Sequence, residues 1–221
     1  MNQKSKFIFG VLGVLIIVGA VGYFIYKDIT KIEERRDQTG KPLDLESGGV
    51  KVEVLPTEAK LLDAPIPDLN KSIKFYNDHG VEFERLMTEK IEVSRRILRK
   101  EPTQFREWVE LGINYKRVED FKSAEEMWQY AHLMIPDNAV VLGNLANLYA
   151  YDLKDLAKAD EYYVLTLEKA GGFSYLYFQI AEYYQNVKKD KAKAIATVEL
   201  GIQRSPNDTD LQGLLQFLKS N

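Results

Sequence analysis

Phe105 to Asn138 reads FREWVELGINYKRVEDFKSAEEMWQYAHLMIPDN, and its pattern returns twice downstream. Tyr115 recurs as Tyr149 and Tyr184, at separations of 34 and 35. Ala124 recurs as Ala159 and Ala194, each 35 apart. Leu111-Gly112 returns as Leu145-Ala146 and Ile180-Ala181, Trp128 as Tyr163 and Val198, and Ala131 as Thr166 and Gly201. Pro136 returns as Pro206, with Gly171 in the middle slot. Small residues at fixed slots let two helices approach closely, and the large aromatics fill the space between. Pro136 and Pro206 stop helices, because proline removes a hydrogen bond and clashes with the preceding turn. Asp137-Asn138 and Asn207-Asp208 offer N-caps for the helices that follow, and Gly171-Gly172 offers a left-handed stop. Glu119-Asp120 and Glu125-Glu126 read as solvated charges.

Trp108, Leu111, Gly112, Tyr115, Ala124, Trp128 and Pro136 fill a known pattern. The chain resembles the tetratricopeptide repeat (TPR) family, whose 34-residue helix–turn–helix unit carries W-x₂-L-G-x₂-Y…A-x₃-F…P. The first copy fills every slot, with Trp128 in place of Phe. The second has Leu142 in the Trp slot, one residue inserted in its turn, and glycines for the proline. The third has Tyr177 in the Trp slot and one insertion. The resemblance covers roughly half the chain and implies an all-α solenoid of stacked antiparallel helix pairs, wound into a right-handed superhelix.

Upstream, Glu82 to Lys100 forms an amphipathic helix with Phe83, Leu86, Met87, Ile91, Ser94, Ile97 and Leu98 on one face. Arg95, Arg96, Arg99 and Lys100 read as a solvated basic end, favoured by the helix dipole. Glu101-Pro102 lies 34 residues before Ile135-Pro136, which makes residues 70–104 a degenerate unit ahead of three repeats at 105–208. Leu211, Leu214, Leu215 and Leu218 place a capping helix at 209–221, which a solenoid needs to close its core.

Phe7 to Tyr26 is twenty residues without a charge, FIFGVLGVLIIVGAVGYFIY. At ~1.5 Å per residue it matches the ~30 Å hydrocarbon core of a bilayer. A cleaved signal peptide is the alternative, with Val18 and Ala20 near a possible cut, but its apolar stretch should be ~7–15 residues. Residues 1–27 are therefore expected to be an uncleaved single-pass anchor. Five basic residues follow the span and two precede it, which favours a cytoplasmic C-terminal domain. The short basic N-tail resists translocation, and long domains cross largely regardless of charge. The expectation is N-inside with the domain outside the cytoplasm. Residues 28–69 make a juxtamembrane helix (28–37) and an extended linker, in which Val50–Leu55 alternates with period two.

Composition closes off much chemistry. The net charge is −3 and cysteine is absent. This argues against a strongly basic nucleic-acid binder, and leaves no thiol, disulfide or cysteine-metal site. His79 and His132 lack metal-ligand spacing, and no phosphate-loop, zincin or nucleophile-elbow motif occurs. No enzyme activity, cofactor or metal is expected. The family resemblance implies a protein or peptide partner held on the concave face lined by the first helix of each repeat. Mapped residue by residue, that face comprises Val109, Ile113, Lys116 and Arg117, then Gly143, Asn144, Asn147 and Tyr151, then Phe178, Gln179, Glu182, Gln185 and Asn186. Asn144, Asn147, Tyr151, Phe178, Gln179, Glu182, Gln185 and Asn186 are the candidate partner-binding residues. Val109 and Ile113 stand where relatives that clamp acidic C-termini carry Lys and Asn, which points to a neutral peptide instead. The rival expectation is an assembly factor of an envelope, secretion or pilus machine, docking through its convex face or cap.

Overall fold

The computed structural model describes residues 64–220. The expected membrane span, the juxtamembrane helix and the alternating segment 50–55 lie outside the described residues. Among the described residues there is no strand, and no helix is long and apolar enough to cross a membrane. The architecture there is all-α. In chain order the helices are α1 (Val81–Lys100), α2 (Phe105–Arg117), α3 (Phe121–Met134), α4 (Ala139–Asn147, continued by a π-turn Leu148–Asp152), α5 (Leu156–Lys169), α6 (Ser174–Glu182, continued by a π-turn Tyr183–Val187), α7 (Lys191–Arg204) and α8 (Thr209–Ser220).

Consecutive helices pack on one another as antiparallel pairs. In α2–α3, the rings of Trp108 and Tyr130 lie 4.6 Å apart and the Trp128 indole donates to the Val109 carbonyl at 3.0 Å. Tyr149 stacks on Tyr162 across α4–α5 at 5.5 Å. Lys193 sits over the Tyr184 ring across α6–α7 at 5.3 Å. The small slots are closed contacts. A Cβ on Gly112 would fall 2.5 Å from Cδ1 of Trp128, and one on Gly201 2.7 Å from Cγ of Tyr177. Ala124, Ala146, Ala159, Ala181 and Ala194 are all buried.

Each pair is joined by the same three-residue turn. Val118-Glu119-Asp120, Leu153-Lys154-Asp155 and Lys188-Lys189-Asp190 each put the middle residue in the left-handed region, at φ 62°, 59° and 55°. The aspartate then caps the next helix: Asp120, Asp155 and Asp190 accept from the backbone N–H groups of Ser123, Lys158 and Lys193 at 3.2, 3.1 and 3.0 Å. Asp120 is thus a buried cap rather than a solvated charge. The residue inserted in the second and third copies is not in the turn. It is absorbed at the end of the first helix, where Leu153 N–H donates to Leu148 O at 2.9 Å and Lys188 N–H to Tyr183 O at 3.1 Å, i to i−5. The first copy closes with an ordinary i to i−4 bond, Val118 to Asn114. The fixed turn geometry leaves the helix as the place where one extra residue can go.

Between pairs, Asn138 and Asp208 cap α4 and α8, accepting from Val141 and Leu211 N–H groups at 3.0 and 2.9 Å. Gly171 ends α5 at φ 52°, in the left-handed region where glycine has no Cβ penalty.

The amphipathic helix expected at Glu82–Lys100 is α1. Within the upstream unit only α1 is helical; residues 65–80 form an extended strap laid antiparallel along it. The strap alternates: Pro67 and Leu69 are buried and Lys71, Ile73 and Phe75 half-buried, while Ile66, Asp68, Asn70, Ser72, Lys74 and Tyr76 face out. Pro67 and Leu69 belong to this packed strap, upstream of residue 70. On α1 itself, Leu86 and Ile97 are 43% and 37% exposed, because the strap and α2 cover a narrower stripe than the sequence pattern suggested. Arg95 is not a solvated charge. It is 2% exposed, and its guanidinium donates to the Tyr115 hydroxyl at 3.1 Å, the Lys71 carbonyl at 2.7 Å and the Glu92 carboxylate at 2.6 Å.

Candidate functional site

The first helices α2, α4 and α6 share one face, and the expected groove residues divide on it into two sets. One set is used up holding the fold together. Lys116 of α2 reaches across to α4, donating to Oδ1 of Asn147 and pairing with Asp152 at 2.8 Å. Gln179 of α6 donates its amide to the Gly143 carbonyl of α4 at 3.0 Å. Asn147 and Gln179 are therefore stitches between neighbouring helices. Val109 is core, Gly143 is covered by Leu176, and Phe178 packs partly into the C-terminal core. Asn186 is exposed on the last turn of α6.

The second set has polar tips with nothing to bond. The amide nitrogen of Asn144, the hydroxyl of Tyr151 and the amide oxygen of Gln185 are buried without a hydrogen-bond partner among the described residues. Glu182 is half-buried and makes no ion pair or hydrogen bond among the described residues. Burial holds its carboxyl above the usual carboxylate range. Burial, and then the Glu182 charge, pushes the Tyr151 hydroxyl up as well.

Tyr163 completes the cluster, and the sequence reading had placed it only as core. It is fully buried at 0% exposure, and its hydroxyl faces the Asn147 side chain without closing a hydrogen bond among the described residues. Burial is the largest cause that suppresses its acidity; Tyr151, Glu182 and Tyr183 act in the same direction, and the Asn147 side chain opposes them. Its ring packs on Tyr183 at 4.4 Å. The sequence held a signal. Tyr163 occupies the slot of Trp128, whose indole N–H finds the Val109 carbonyl, so a hydroxyl at the same slot needed a partner of its own.

No protein-family model matches the chain, and no curated protein matches it. The case for function therefore rests on the groove's own chemistry. Each unpaired buried polar group costs ~1–3 kcal/mol relative to a bonded one, so these side chains carry a standing cost that an incoming ligand can relieve.

Proposed function

We propose that the chain is a membrane-tethered TPR scaffold that binds a peptide segment of a partner protein along the face of α2, α4 and α6, by contact rather than by catalysis. The observation that carries the reading is the set of buried polar tips on α4, α5 and α6 that lack a partner among the described residues: Asn144 Nδ2, Tyr151 OH, Tyr163 OH and Gln185 Oε1. A partner backbone offers the donors and acceptors these atoms lack. The TPR assignment draws on the 34- and 35-residue recurrence, the tight small-residue contacts and the repeated Asp-capped turn.

A hydroxyl that is unpaired in the free protein and paired in the complex gives a two-sided expectation. Tyr151→Phe should leave thermal stability unchanged or raised, and should weaken partner binding ~5- to 50-fold. Calorimetry and a binding titration on the full-length chain read the two effects. A loss of stability with unchanged binding would sink the groove reading. Finding the partner can use a photoreactive phenylalanine analogue at Phe178, which should give a discrete adduct that the same analogue at exposed Leu133 does not.

The assembly-factor reading draws on a different feature. An open hollow at the α7–α8 end is lined by Ile202 and Leu215 with Gln212, Gln216 and Lys219 around it. Leu215→Glu, rather than Tyr151→Phe, should release the partner if the cap is the docking face.

The tether is a reading of residues 7–26. The full-length chain should sediment with membranes and resist carbonate extraction, and deletion of residues 1–27 should release it. A C-terminal reporter active only outside the cytoplasm should be active. Release of the intact chain by carbonate would remove the tether, and a silent reporter beside an active cytoplasmic one would invert the topology.

A further inference from the structure

We propose that the half-buried, unpaired carboxylate of Glu182 on α6 receives the basic side chain, lysine or arginine, of the partner peptide. This rests on the groove reading above and names the chemistry that the groove selects.

The inference starts from how this fold treats its other tyrosine–carboxylate clusters. Tyr115 faces Arg95, whose guanidinium lies 5.7 Å from the ring centre and also holds Glu92. Tyr149 donates to Glu125, and Lys158 sits 4.7 Å over its ring and 3.8 Å from the same carboxylate. Tyr183 donates to Asp160 at 2.6 Å, and Lys188 pairs with that carboxylate at 2.8 Å. In each cluster a cation from the chain itself closes the arrangement. The cluster of Tyr151, Tyr163 and Glu182 has the same components and no such cation among the described residues. Lys116, the lysine of the α2 face, is committed to Asp152 and Asn147.

The hydrogen-bond complement agrees with the charge. One helical turn along α6 from Glu182 the Gln185 amide oxygen accepts, and the hydroxyl oxygens of Tyr151 and Tyr163 can accept. An ammonium or guanidinium brings several N–H donors and one positive charge. An acidic ligand would meet the unpaired carboxylate as a like charge. A neutral amide would satisfy one acceptor and leave the charge uncompensated. The tyrosine rings add a favourable surface for a cation.

Random linear peptides displayed on phage test this, selected in parallel against the full-length chain in detergent and against its Glu182→Gln variant. Wild type should enrich peptides with one fixed lysine or arginine, and the enrichment itself tells which of the two is preferred. Glu182→Gln, which should melt at or above the wild-type temperature, should lose that enrichment. A synthetic binder should lose ~30-fold in affinity on wild type when its fixed basic residue becomes norleucine, and little on Glu182→Gln. Gln185→Met gives a second variant that weakens the same peptide without touching the charge. Peptides that compete at the groove but show no fixed basic position would overturn this inference and leave the groove reading standing. A basic preference that survives Glu182→Gln would overturn it as well. Failure to select any peptide would remove both.

Discussion

Gly112→Leu should cost the helical array ~3 kcal/mol or more, at or above the upper end for overpacking a core. The backbone of α2 at Gly112 is in direct contact with the Trp128 indole, and a Cβ there would lie 2.5 Å from Cδ1 and 2.8 Å from Cε2. The indole cannot yield cheaply. It is buried, and its N–H is fixed on the Val109 carbonyl at 3.0 Å. Relief would require separating α2 from α3, which exposes Leu111, Tyr115 and Ala124 together. In a melt the loss corresponds to a drop of about 6–12 °C for a domain of this size. Gly213 is the control, since nothing lies within 4 Å of a Cβ built there. Gly213→Ala should hold or gain stability, by up to ~1 kcal/mol, because alanine restricts the unfolded helix segment. Equal melting temperatures for Gly112→Leu and wild type would show that the α2–α3 contact is not closed at this glycine.

Arg95→Ala should be comparably severe, ~3–5 kcal/mol, the range for breaking a buried charge arrangement from one side. The substitution leaves the Tyr115 hydroxyl and the Lys71 carbonyl without their donor. It also releases the strap from α1, where only the Arg99 bond to the Leu69 carbonyl at 2.7 Å would remain of the two arginine bonds. Limited proteolysis should then cut within residues 65–80, a segment that stays intact in wild type. Arg95→Lys should restore little, because a single ammonium cannot reproduce a planar fork that serves three acceptors. A double replacement, Arg95→Met with Tyr115→Phe, should recover part of the loss by removing both ends of the polar contact. Protection of the strap in Arg95→Ala would show that Lys71–Glu126 and the buried Leu69 hold it unaided.

These two sites differ in how visible they were beforehand. Gly112 stands in a recurring small slot, and a slot filled by Gly, Ala and Ala in successive copies already implies a close approach. Arg95 looked like one of four basic residues at a helix end. Nothing in the local sequence says that a strap twenty residues earlier folds back over it, so its burial is a long-range fact. Groove residues divide the same way. The three-then-four spacing of Asn144, Asn147 and Tyr151 put them on one face. It could not say that Lys116 would occupy Asn147 while Asn144 and Tyr151 went unpaired.

What the sequence determined by itself is what repeats. A period of 34 to 35 residues specifies helix pairs, the small-residue contacts and the proline and glycine stops, because each of these depends on neighbours within one or two units. Asp120, Asp155 and Asp190 recur at the same 35-residue spacing, but only the structure showed that they are caps rather than solvated charges. Tertiary structure decided the rest. It moved the extra residue of the second and third copies from the turn into the helix, since the capped turn tolerates no insertion. It laid an extended strap along α1, with Pro67 and Leu69 buried and Phe75 half-buried at alternate positions, without needing a helical face. It also left Tyr163 and Glu182 without partners, because hydrogen-bond satisfaction depends on which side chains from three helices converge, and no single stretch of chain encodes that.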